Sequence, residues 1–135
     1  MKAYWQRIID ELESTVRKPM DKNVIPLLQE IEKRPALFIG NDVNIRCLFH
    51  FLSGWQMGAA KKMRDGEICL DEKMNAFLAL KYGDFDSLNW EGLLIKHEGE
   101  AAAFGKFFEY LHEMENGWRV FCSNGRDFEK IERRE

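Results

Sequence analysis

The chain has 135 residues, 45% of them hydrophobic and 13% aromatic, and a net charge of −3. That length supports one domain with a hydrophobic core of its own, so residues 1–135 are expected to form a single domain. The composition excludes disorder and low complexity, and 20 basic against 23 acidic residues give no general electrostatic reason to bind nucleic acid directly.

Trp5, Ile8, Ile9, Leu12 and Val16 recur at steps of three and four, predicting an amphipathic helix over about residues 2–18 that Pro19 stops. A second short helix should begin near Asn23, carry Pro26 in its first turn and reach about Lys33. Arg34-Pro35 ends it, because a residue before proline is pushed out of helical geometry. Ala36 to Ile39 is an apolar run closed by Gly40, with a short strand near Phe38 as one outcome, and Asn41, Asp42 or Asn44 can cap the third predicted helix. That helix is the expected core element: Ile45, Leu48, Phe49, Leu52 and Ala59 form its stripe, and Cys47, Phe51 and Trp55 widen it. Gly54 and Gly58 on it either admit a close neighbour or are tolerated at a cost of about 1 kcal/mol each.

Lys61 to Arg64 read as a basic helix end and Asp65-Gly66 as a turn. A loop or brief strand through Ile68-Cys69-Leu70 leads to Asp71, the expected cap of a helix carrying Met74, Phe77, Leu78 and Tyr82 and ending at Gly83. Ser87 is expected to cap a short helix with Trp90, Leu93 and Leu94, and Glu98 and Glu100 to supply acid at the start of the last helix. That helix carries Phe104, Phe107, Phe108, Leu111 and Met114. Trp118 to Cys122 alternates as a terminal strand before a charged tail from Arg126. The expected fold is all-α or mainly α: five or six helices around a core of Ile45, Leu48, Phe49, Leu52, Phe77, Leu93, Phe104, Phe107, Phe108 and Leu111, with a short strand near Phe38 or Phe121.

The residues that carry chemistry are sparse. Cys47, Cys69 and Cys122 are odd in number and widely spaced, which fits reduced thiols better than a disulfide framework or a metal knuckle. Glu109 and His112 share a helical face as in di-iron bundles, but those need two such pairs and this chain has one. Cys47 and His50 are a lone pair of soft ligands with no second pair. A nucleophile elbow, a glycine-rich phosphate loop and a His-Glu-x-x-His motif are all absent from the sequence. The expectation is therefore no catalytic residue, no metal and no cofactor. The opening residues lack the apolar region of a secretory signal, and no apolar run reaches the roughly 18 residues that cross a bilayer, so the expected compartment is the cytosol.

Charge is uneven along the chain. From Asp65 to Glu100 nine acidic residues face three lysines, a local charge of −6 against +3 for the remainder. Such a stretch can steer a basic partner, or it can be a solvated face.

Four patterns recur in order: Ile31-x-x-Arg34-Pro35-x-Leu37-Phe38-Ile39-Gly40; Leu48-x-x-Phe51-x-x-Gly54-Trp55; Trp90 with Ile95; and Ala103-Phe104-x-x-Phe107-Phe108-x-x-Leu111. Together they span about residues 28–115 and resemble a group of small bacterial immunity proteins of polymorphic toxin and contact-dependent growth inhibition systems. The first pattern is also similar to an Arg-Pro-Gly-Met-Tyr-Ile-Gly stretch of the gyrase B ATPases, but Ala36 replaces the glycine and no Asp-x-Gly-x-Gly element is present downstream. The immunity resemblance implies a cytosolic, non-enzymatic inhibitor of one cognate toxin domain, basic and nuclease-like. On that reading Asp84, Asp86, Glu91, Glu98 and Glu100 are the candidate partner-binding acids, with Phe85 or Trp90 as an aromatic anchor where exposed; the alternative for Trp90 is the core. Two other classes compete. One is a small helical enzyme, metal-dependent or ribonuclease-like, using His50, His97 or His112. The other is an adaptor that binds a helix in a groove and predicts an exposed apolar patch.

Overall fold

The computed structural model describes residues 2–59, 62–86 and 88–116. Among them lie seven helices, against the five or six expected, and no strand. The terminal strand expected at Trp118 to Cys122, the tail, Lys61 and the Ser87 cap fall outside the described residues.

Helix α1 (Lys2–Arg17) ends two residues before Pro19, and α2 (Val24–Lys33) starts one after Asn23 and holds Pro26 in its first turn. The run after Arg34 is not a strand: Pro35 opens a single short helix, α3 (Pro35–Ile39). Proline's fixed φ suits a helix start, where its missing N–H costs nothing. Gly40, at φ +80°, then turns the chain into α4 (Ile45–Ala59). Asn44 is the residue that caps α4, accepting from the Cys47 N–H at 2.9 Å. Gly54 and Gly58 face open space, so no neighbour among the described residues uses them for close approach.

Helix α5 (Leu70–Tyr82) begins two residues earlier than expected, with Cys69 at the cap position and Asp71 inside the first turn. Gly83 ends it in the left-handed region at φ +62°, as predicted. Helix α6 (Trp90–Glu98) is capped by Asn89, whose side chain accepts from Gly92 N–H at 2.8 Å. Glu98 closes α6 instead of opening α7 (Glu100–Asn116).

One contiguous core draws on six of the seven helices, and only α3 buries no residue fully. Its largest inaccessible side chains are Trp90, Phe77 and Phe107. Phe49 and Phe104, expected in the core, are half-buried against it, while Ile9, Val24, Ile31, Leu70, Met74 and Leu94 belong to it. The principal seams are α1 with α5 and α6 with α7. Trp5 meets Phe85, just past the end of α5, and Met20 pairs with Ile68, just before its start, so α1 and α5 run antiparallel.

Candidate functional site

The predicted partner-binding residues fall into three places. Asp84, Phe85 and Asp86 form the turn after α5, where Gly83 sends the backbone back so that Asp84 N–H reaches the Ala79 carbonyl. The Asp84 carboxylate consequently points inward. Its Oδ2 accepts from Lys96 Nζ at 2.7 Å and meets His97 Nε2 at 2.8 Å, while Oδ1 accepts from Asp86 N–H. The Lys96 ammonium, joined by His97 and outweighing the opposing effect of burial, holds the Asp84 carboxyl down at about 2. Asp84 is thus a buried, engaged acid. Asp86 beside it is the open one, 78% exposed at its side chain and 3.5 Å from the same lysine.

Glu98 completes this junction from the other side. The His97 ring stacks on Tyr82 with centroids 4.1 Å apart, and the hydroxyls of Tyr82 and Tyr110 both donate to Glu98 Oε2, at 2.8 and 2.7 Å. Burial works to raise the Glu98 carboxyl, but the donors Tyr110 and Tyr82 outweigh it and leave it below the usual range. Burial and the same carboxylate push both phenols well above theirs. The result is a closed polar lock joining α5, α6 and α7. His97 and Asp84 have the spacing of an acid–base pair, yet among the described residues no hydroxyl or thiol hydrogen-bonds His97, and its carboxylate is shared with a lysine.

The remaining candidates lie elsewhere. Trp90 has no exposed surface: its indole N–H donates to Asp71 at 2.7 Å and its ring packs on Phe107 and Phe49. It is a core residue, and the condition for an anchor is not met. Glu91, one residue on, is half-buried, with Oε2 lacking a hydrogen-bond partner among the described residues. Glu100 is exposed at the start of α7 and paired with Arg46 at 3.1 Å. Of the other histidines, His50 edges Phe49 and His112 meets Glu32 at 2.9 Å. No group of three or more His, Cys, Asp or Glu among the described residues is placed to hold a metal ion. No helix there is long and apolar enough to cross a membrane.

Phe85 leads to a feature that the sequence did not predict. A groove of about 560 Å³ runs between α1 and α5 and opens at the α5–α6 turn. Tyr4, Ile8, Leu12 and Thr15 form one wall, and Glu72, Asn75, Ala76 and Ala79 the other. Asp84, Phe85 and Leu88 close one end. Tyr4 and Leu88 are 54% and 40% exposed, and Trp5, edge-on to Tyr4, lies against Phe85 with centroids 5.6 Å apart. The charged residues in the lining are both acidic, and Glu72 has no ion pair among the described residues. A signal for this existed. The apolar residues of α1 make two adjacent rows: Ile9 with Val16 is buried in the core, and Tyr4 with Ile8 and Leu12 lines the groove, Leu12 also packing against the core.

Comparison of the chain with protein-family models, with curated proteins and with solved structures gives no match to any of them.

Proposed function

We propose that this chain is an immunity protein that binds one cognate toxin domain, basic and nuclease-like, and neutralises it by stoichiometric occlusion in the cytosol, without catalysis, metal or cofactor. The observation that carries this reading is the corner formed by α1 and the α5–α6 turn, where the aromatic rings of Tyr4, Trp5 and Phe85 lie beside the exposed acid Asp86. Exposed Tyr4 and Trp5, with half-buried Phe85 against Trp5 and the exposed Asp86 beside it, fit a protein interface: the rings supply buried area and the charge steers a basic partner. The resemblance of residues 28–115 to immunity proteins supports the same reading.

The test is co-expression with the product of the adjacent open reading frame. The chain should restore growth of cells killed by that product and form a one-to-one complex with it. Asp86→Lys should slow association and flatten its salt dependence. No protection and no complex would overturn the reading. The same exposed apolar corner favours a second reading, a helical adaptor, which predicts a complex without any protection from killing.

A further inference from the structure

We infer that the groove between α1 and α5 is the docking site for an amphipathic helix of the partner, whose apolar stripe enters it and whose lysine or arginine side chains meet Glu72 and Asp86. This rests on the proposed function in that it names the part of the partner that is held. From Tyr4 to Thr15 the α1 wall runs about 16 Å, three turns of helix. Over that length, about 560 Å³ admits a single row of side chains and not a whole helix of ~10 Å diameter. A row of anchors at helical spacing is what such a trough fits. Ala76 and Ala79 make one wall low, so the depth comes from small residues within packed helices.

Charge sets the polarity of the occupant. The α1 lining residues carry no charge and are apolar apart from the Tyr4 and Thr15 hydroxyls, Glu72 on α5 is the lining acid without an ion pair among the described residues, and Asp86 follows the lining residue Phe85 with Lys96 at 3.5 Å. Asp84, which also lines the groove, is held by Lys96 and His97, and Asp86 shares that lysine while staying 78% exposed, so Glu72 and Asp86 are the acids that an incoming cation can reach. An acidic helix would set like charges against both edges.

The probe is a pair of synthetic 15-residue helical peptides with the same leucine stripe, one flanked by lysine and arginine and the other by glutamate. Each is titrated into the full-length chain while backbone amide shifts are followed. The expected result is saturable shifts along α1 and α5 and at Phe85, with the basic peptide at least tenfold tighter. Glu72→Lys, a change at the groove edge that leaves the core untouched, should reduce that preference at least threefold. Equal affinity of the two peptides, shifts confined to another face, binding only of small apolar molecules, or groove contacts with residues 117–135 of the free chain would each overturn the inference. The two proposals fail separately. Growth protection that survives Ala79→Arg and Glu72→Lys together removes the groove as the docking site and leaves the immunity reading standing. Selective basic-peptide binding by a chain that gives no protection does the reverse.

Discussion

Helix α5 has two unlike sides. Toward α7 it presents Phe77, Lys73 and Lys81, and each is met: Phe77 by Tyr110, Lys73 by Glu115 at 3.4 Å, Lys81 by Glu113 at 2.8 Å and by the Tyr110 ring. Toward α1 it presents Ala76 and Ala79, and the space that larger side chains would fill is left as a groove. The same helix is therefore closed against α7 on one side, while on the other its packed seam with α1 carries a groove along the outer edge. Side-chain volume makes the difference, since both sides are apolar enough to be buried. The saturated side should answer to mutation in stability and the open side in binding.

The largest loss of stability is expected from Trp90→Ala, in the packed core where α6 meets α4, α5 and α7. Removing a fully buried indole and its bond to Asp71 should cost about 3–5 kcal/mol in urea unfolding. A loss under about 1 kcal/mol would mean that the core has room to collapse and that the contrast between the two sides is weaker than the packing implies.

Asp84→Asn comes next and carries a pH signature. A carboxyl lowered from its ordinary 3.8 to about 2 in the fold contributes stability that is complete above pH 4 or so and is lost as pH falls toward 2. The melting-temperature gap between wild type and Asp84→Asn should thus be constant near neutrality and narrow across that acid window. A gap independent of pH would show that the Lys96 and His97 contacts do not depend on the charge.

Asn89→Ala removes the side-chain cap of α6 and should cost about 1 kcal/mol by the same denaturation assay. Smallest in stability is Tyr4→Ala, at the open wall. Its effect should stay within about 0.5 kcal/mol, while partner affinity falls by about tenfold or more. Equal losses in both measurements would place Tyr4 with the core.

Much of the fold was legible. The stripes of α1, α2, α4 and α7 and the stops at Pro19, Pro35 and Gly83 are local signals, set by periodicity and by backbone restrictions that no tertiary contact overrides. The short run at Phe38 is ambiguous because four apolar residues suit either period, and Pro35 decides it by opening a helix. The candidate site was less legible. Sequence distinguishes acid from base but not an inward carboxylate from an outward one, and Asp84 and Asp86, two residues apart, part company because Gly83 reverses the backbone just before them. Trp90 shows the same limit: its burial follows from Asp71, nineteen residues earlier, being placed to accept the indole proton.

That indole also gives the molecule a built-in optical marker. Trp90 sits in a dry site with a carboxylate partner, whereas Trp5 is 37% exposed and lies against Phe85 at the mouth of the groove. With Trp55 and Trp118 replaced by phenylalanine, occupation of the groove should therefore change the emission of Trp5 and leave that of Trp90 as an internal standard. Replacing Trp5 by phenylalanine should silence the response without disturbing the standard.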